Sequence, residues 1–444
     1  MKQFSINYII TLYLLIFSLS SIASILEAQI SDDISKVKLD VRNDAIIGKN
    51  IAIKSKFFGL PVVEPSISAH PNNNNHLLAA AMIVTDINRP YASCRLSSFV
   101  SKDGGNNWSE TAHNYWGYDP WVAILPSGNA ALSWLGTPNS FRHSFPLKIF
   151  TSNNGGDTWS NNIQSFNGFG HGHDGTKLVG YKTSFYLTTV RFNGDMSADV
   201  VLYESKNNNV FKEVALIKGE GLRLNFCEPA ILNNGTVVIP TLHNSSKIWV
   251  NLYNPKTRQL SGKKKVSKNP KVGRGYPRMV ADVGLNSRFI NRIYFVRAVA
   301  SGTSSRGIWI NYSKDNGETW TEEKRIDHFE TDWLSKANVA SVAINKDGVI
   351  GVSWVDSQHD KNQKAYDVYL AISKDGGESF QKPIRVTNVS SNPRTKKNGD
   401  VANKFIGGGH YLGLTAKANG SFQLIWSDSR DEVFQLQTCN VTIK

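Results

Sequence analysis

At 444 residues, with 40% apolar residues and 11 Trp, 15 Tyr and 21 Phe, the chain has ample material for a large core, which excludes an intrinsically disordered protein. Its formal net charge is +14, and no recognised nucleic-acid module accompanies that charge. The excess therefore points to anionic partners, such as acidic glycans or cell surfaces, or to solubility alone.

The N-terminus carries Lys2, an apolar run from about Ile9 to Ile25, and small residues ending at Ala28. This pattern predicts a signal peptide over 1–28, with one domain over 29–444. An uncleaved membrane anchor is the alternative, because the run nearly reaches spanning length. Cleavage would remove Lys2 and Glu27 and leave the charge at +14. The expected location is secreted, periplasmic or extracellular, with no stable membrane insertion after cleavage. Cys94, Cys227 and Cys439 are too few and too scattered for a disulfide framework or a zinc site, and read as buried thiols.

Downstream, one eight-residue phrase recurs four times: SKDGGNNW at 101–108, SNNGGDTW at 152–159, SKDNGETW at 313–320 and SKDGGESF at 373–380. Asp103, Asn154, Asp315 and Asp375 can fold back onto backbone N–H groups, and the glycine two residues later can take positive φ. The closing Trp or Phe then drops into the layer beneath. Four copies in one residue order are an internal repeat.

The phrases belong to longer units of short β-branched and aromatic runs broken by Gly, Asn and Pro. Seven can be counted, beginning near VVEPSI, DPWVAI, HDGTKL, CEPAIL, YPRMVA, VASVAI and YLGLTA. The last stops one strand short. VKLDV at 37–41 or IAIK at 51–54 is expected to complete it and leave no open edge. No sustained 3.6-residue period predicts a long helix. The fold class expected is therefore all-β: a propeller of four-stranded antiparallel blades, seven favoured and six the alternative, closed by an N-terminal strand. GKKKVSKNPKVGRG at 262–275 reads as a solvated loop between blades, or as a grip on an anionic polymer.

In such a ring the starts of the innermost strands converge at one mouth. Those positions are Glu64, Asp119, His173 with Asp174, Glu228, Tyr276 with Arg278, Asn338, and His410 with Tyr411. Ends of second strands add Asp86, Arg191, Arg297 and Arg430 among others. Acids to move protons beside arginines to hold anions are the contents of a glycan pocket.

The repeated phrase resembles the Asp-box of the sialidase superfamily, a structural hairpin of propeller blades far from the catalytic pocket. Two further stretches are similar to that family. CEPAILNNGTVVIP at 227–240 places Glu228 at its catalytic glutamate, and YLGLTAKANGSFQLIW at 411–426 places Tyr411 at its nucleophile. A neutral phenol meets less repulsion than a carboxylate would at an anomeric centre bearing its own carboxylate, and Glu228 would take its proton. Asp119 and Asp86 are the acid/base candidates. Arg278, Arg297, Arg430, Arg191, His173 and Asp174 are the substrate-binding candidates. The family's first arginine is replaced by Val63 or Glu64, and Thr241-Leu242-His243 stands where the second should follow. The resemblance implies an exported glycoside hydrolase releasing a terminal, acidic sugar. The alternatives are a carbohydrate-binding propeller without catalysis and an exported adhesion or assembly scaffold. No cofactor is implied, and no ligand spacing marks a metal site, although Asp-rich loops leave calcium open. The sequence does not speak to oligomeric state.

Overall fold

The computed structural model describes residues 39–40, 44–137, 145–167, 172–193, 197–207, 210–219, 224–226, 228–243, 247–266, 276–284, 286–299, 307–327 and 337–444. The N-terminal run and Cys227 lie outside them. Seven antiparallel sheets follow one another along the chain. Blade 1 runs from Val62–Ala69 to Ser109–Trp116, blade 2 from Tyr118–Ile124 to Gln164–Phe166, and blade 3 from Gly172–Tyr181 to Lys212–Ile217. Blade 4 begins with an interrupted strand, Leu224–Phe226 and Ala230–Ile231, and ends at Gln259–Lys265. Blade 5 spans Arg278–Ala281 to Lys324–Arg325, and blade 6 Asn338–Ile344 to Ile384–Arg385. Blade 7 supplies only Gly413–Ala416, Phe422–Asp428 and Gln435–Ile443 from the C-terminus. The first strand of every blade lines a central cavity of about 280 Å³. This is a seven-bladed β-propeller.

The N-terminus closes the ring as expected. Ala45–Ile47 and Ile51–Ile53 pair antiparallel with Val441–Ile443 and Leu436–Thr438, either side of a break at Gly48. Leu39–Asp40 instead pairs in parallel with Phe380–Gln381 of blade 6. The basic run departs from the loop expectation: its first residues, Gly262–Lys265, lie in the outermost strand of blade 4, and 267–275 are outside the described residues. Among the described residues no helix is long and apolar enough to cross a membrane. Cys94 and Cys439 are buried free thiols.

All four repeated phrases form the same hairpin between the third and fourth strands of blades 1, 2, 5 and 6. In each, the Ser hydroxyl donates to the Asp or Asn oxygen at 2.8–2.9 Å and accepts the glycine N–H at 2.8–2.9 Å. The Asp or Asn oxygen also accepts a backbone N–H four residues on. The hairpins face the preceding blade. A Cβ on Gly156 of blade 2 would stand 2.7 Å from Leu78 Cδ1 of blade 1, whereas one on Gly317 of blade 5 would stand 3.5 Å from Val250 Cγ2 of blade 4.

Both glycines have nearly the same φ, +95° and +94°, so alanine strains the backbone equally at each. Only Gly156 adds overlap with the next blade. Gly156→Ala should cost about 2 kcal/mol and Gly317→Ala about 1 kcal/mol, read as urea-unfolding midpoints. Equal losses would mean that the hairpin does not lock against its neighbour.

Candidate active site

Four inner strands share a bulge near the mouth of the ring. The pairing register slips between Val63 and Ser66, Tyr118 and Trp121, Asp174 and Thr176, and Asn338 and Ser341. At each slip one residue is left-handed: Glu64 (φ +57°), Asp119 (+51°), Gly175 (+53°) and Val339 (+51°). Bulges re-aim side chains, and left-handed non-glycine residues persist where their surroundings over-determine them. Here they turn Glu64 and Asp119, at equivalent places in adjacent blades, toward one another.

These two carboxyl groups line one cavity of about 470 Å³, where each shifts the acidity of the other. Asp174 and His173 from blade 3, Tyr276 from the start of blade 5 and His410 from the approach to blade 7 also line it. Tyr91, Tyr118, Phe145, Phe192 and Phe405 complete aromatic walls. Glu64 is 1% exposed, and its Oε1 accepts the His410 backbone N–H at 3.1 Å while lying 2.9 Å from His410 Nδ1. Only glycine allows that approach: a Cβ at Gly409 (φ +123°) would stand 2.2 Å from Glu64 Cγ.

The carboxyls are driven apart in acidity. Burial raises the Asp119 carboxyl well above its usual range, and the negative charges of Glu64 and Asp174 add to the effect. Glu64 loses ionisation tendency to burial, but the His410 hydrogen bond and charge outweigh it and hold the group below its usual value. Asp174 is raised, chiefly by burial. His173 is 1% exposed with neither ring nitrogen hydrogen-bonded, and burial pushes it down to about 4. It is a neutral imidazole at physiological pH.

Beneath the mouth lies a plug. Lys177 is fully buried, with Nζ 3.7 Å from the ring centre of Tyr411 and 3.8 Å from that of Trp121. Tyr411, 4% exposed, stacks at 5.8 Å on Tyr276 and meets Trp121 edge-on at 5.4 Å. Burial pushes Lys177 down to about 7, with the Arg278 charge adding to it, and burial also raises the Tyr411 hydroxyl well above its normal value. On the channel side, Arg278 stacks 4.4 Å over Trp121, reaches Glu228 at 3.4 Å and donates to the Leu412 carbonyl at 3.3 Å.

Of the residues singled out from sequence, the structure brings Asp119, His173 and Asp174 together at the cavity. It sets Tyr411 in the plug, and Glu228 with Arg278 below. Asp86 lies on a surface loop, paired at 2.9 Å with Arg89. Arg297 is forked onto Glu323 at 2.9 and 2.7 Å, Arg191 pairs with Glu213 at 2.8 Å, and Arg430 grips Asp428 at 2.9 and 3.0 Å. The described lining of the mouth cavity includes no lysine or arginine. Glu64, His410 and Tyr276 stand among the converging positions without a role assigned from sequence. The missed signal was the acid–proline dipeptide, which recurs as Glu64-Pro65, Asp119-Pro120 and Glu228-Pro229. Among the described residues no group of three His, Cys, Asp or Glu has metal-binding geometry.

No protein-family model matches this chain, and no curated protein matches it. Among solved structures it is similar to a protein of unknown function from Dyadobacter fermentans DSM 18053, at 11% identity and TM-score 0.53, covering 91% of this chain and 100% of that one. It is also similar to an α-L-arabinofuranosidase of Fusarium graminearum (12% identity, TM-score 0.47, 90% and 98% covered). A leech intramolecular trans-sialidase gives 12% identity, TM-score 0.46, and 88% and 70% coverage. At such identities the likeness is one of fold. The chain is a seven-bladed β-propeller in which one hairpin recurs in four of the blades.

Proposed function

We propose that this chain is a glycoside hydrolase that removes a terminal sugar bound in the mouth cavity. The N-terminal run makes export part of the same proposal. One observation carries the reading: two carboxyls at equivalent bulges, with opposed acidities, line one aromatic-walled cavity. Environments that push paired acids apart assign their roles. Asp119 keeps its proton and donates it to the glycosidic oxygen as the C–O bond breaks. Asp174, open to the cavity, takes a proton from the attacking water. Ionised Glu64, anchored by His410, stabilises positive charge developing on the sugar ring. Aromatic walls suit the apolar faces of a sugar.

The charge of the lining favours an uncharged terminal sugar over the acidic one expected from sequence. Three carboxyl groups and two histidines stand there without a lysine or arginine among the described residues. With Asp119 holding its proton, Glu64 and Asp174 carry the negative charge, and an anionic sugar would add to it in a partly desolvated site.

Asp119→Asn should lower kcat on a responsive aryl glycoside by at least about 100-fold while leaving binding of the product sugar within a few-fold. Retained turnover would remove Asp119 from the mechanism, and binding without turnover by the parent protein would make it a lectin. The pH profile tests the pairing itself. The alkaline limb of kcat/KM reports loss of the Asp119 proton, and the negative charge of Glu64 holds that limb at high pH. Glu64→Gln removes a like charge, so the limb should move to lower pH; an unmoved limb would rule out the coupling.

Lys177 packed over the Tyr411 ring favours a second assignment, with Tyr411 as nucleophile and Glu228 as its base. Tyr411→Phe separates the two. A tyrosine that only buttresses the cavity floor predicts kcat within about tenfold of the parent, whereas a nucleophile predicts its loss.

A further inference from the structure

We infer that a cavity beside the mouth is a second subsite, which binds an anionic sugar residue through Lys364 and Arg394. The acidic group would be a sulfate ester or a carboxylate. This rests on the hydrolase reading only for the order of the sugars, with the uncharged end in the mouth and its charged neighbour alongside.

The second cavity measures about 390 Å³ and lies between blades 5 and 6. It shares a wall with the first. Phe405 lines the mouth cavity, while Ala402, Ile406 and Gly407 of the same short segment line the second. A chain of sugars could therefore pass from one to the other over a single turn of backbone. The half-exposed Ile406 offers an apolar face for a ring, and Asn338 offers an amide.

The charge is what gives the subsite its chemistry. Across the described fold, arginines such as Arg191, Arg278, Arg297, Arg385 and Arg430 are each held by a carboxylate. Arg394 and Lys364, both exposed on the wall of this cavity, differ. Among the described residues their hydrogen bonds are made by backbone: Lys364 N–H donates to Asp360 at 2.7 Å and Arg394 N–H to Asn392 at 3.2 Å. Among the described residues no carboxylate forms an ion pair with either charged head, although the charge of Lys364 also acts on the nearby Asp360 carboxylate. Asp356 also lines the cavity, but it is 1% exposed and engaged with partners of its own. Exposed Lys361 and Lys396 stand three and two residues in sequence from Lys364 and Arg394. Lys404 carries positive charge toward the mouth, with its ammonium 5.7 Å from the Tyr91 ring centre. An arginine fork and a lysine within one concave wall suit the oxygens of a sulfate or carboxylate. Long-range attraction from a chain of net charge +14 would bring such a polymer in.

The test is calorimetric titration of the full mature chain, in its Asp119→Asn form so that nothing turns over. The probes are a sulfated galactan oligosaccharide, an oligogalacturonate and a neutral galactan oligosaccharide. At least one anionic probe should bind at least tenfold more tightly than the neutral one, and its affinity should fall steeply between 50 and 300 mM NaCl, on the order of one Debye-screening step. The probe that binds tells sulfate from carboxylate. Adding Lys364→Gln and Arg394→Gln should weaken that binding at least tenfold while leaving the unfolding temperature unchanged, since both side chains are exposed. Equal affinity for all three probes, or unchanged affinity in the double variant, would overturn the subsite. Anionic binding lost in the double variant, together with a parent protein inactive on every glycoside, would keep the subsite and sink the hydrolase reading. Turnover of neutral oligosaccharides without any preference for the charged ones would do the reverse.

Discussion

Everything at the mouth depends on the ring being closed by a strand from the other end of the chain. Ile51–Ile53 and Ala45–Ile47 hydrogen-bond to the last strand of blade 7, which would otherwise present an unpaired edge. Closure fixes the angle between neighbouring blades, and that angle decides whether side chains some 350 residues apart can touch. Glu64 of blade 1 and His410 of the approach to blade 7 are separated by 346 positions, yet stand 2.9 Å apart. The Ser–Asp–Gly hairpins work to the same end at the rim. Each turns a bare glycine toward the blade before it, and at Gly156 that approach is too close for a side chain, so contact helps to set the spacing between those blades.

A closed ring of regular strands would still point alternate residues up and down the channel wall. The bulges break that regularity where it matters. Shifting the register by one residue and turning Glu64 and Asp119 left-handed aims two acids at the same point, at a cost of about 1–3 kcal/mol for each strained residue. Burial and their proximity together create the acidity difference. At Glu64 the His410 hydrogen bond and charge outweigh the cost of burial; at Asp119 burial, with like charge added, keeps the proton on. Beneath them Lys177 is enclosed by Trp121 and Tyr411, so the floor of the cavity is a buried lysine held by ring faces and pushed down to about 7 by that burial.

The architecture was legible because it is repetitive. Four hairpin phrases and seven strand units overdetermine the fold, and the truncated last unit called for a closing strand that IAIK supplied. The convergence of Asp119, His173 and Asp174 follows from the same count. Roles were harder to read, because they depend on features without a sequence signature. Glu228 shares its acid–proline context with Glu64 and Asp119, but it meets Arg278 on the channel side. Arginine content misled for a related reason. Nothing near Arg297 in sequence announces that Glu323, 26 positions away, already occupies it. The aromatic walls come from Tyr91, Phe145, Phe192 and Phe405, which sit at strand ends and in connections where no periodicity can be read.

A basic protein with an acidic cavity divides its electrostatics between two distances. At long range the field of a chain carrying +14 draws anions and is weakened by salt over about 8–10 Å. Inside the mouth the carboxylates of Glu64 and Asp174 set the local potential beside the protonated Asp119, and burial of these groups weakens screening. A ligand satisfying both fields must be anionic overall and uncharged at the end that enters the mouth. A free acidic monosaccharide would be attracted to the surface and rejected at the cavity, whereas a neutral sugar alone would gain nothing from the approach. An anionic polymer with a neutral terminus satisfies both conditions. On the proposed reading, the split between the acidic mouth and the cationic wall beside it would select for how charge is arranged along a substrate, a property that neither cavity could select by itself.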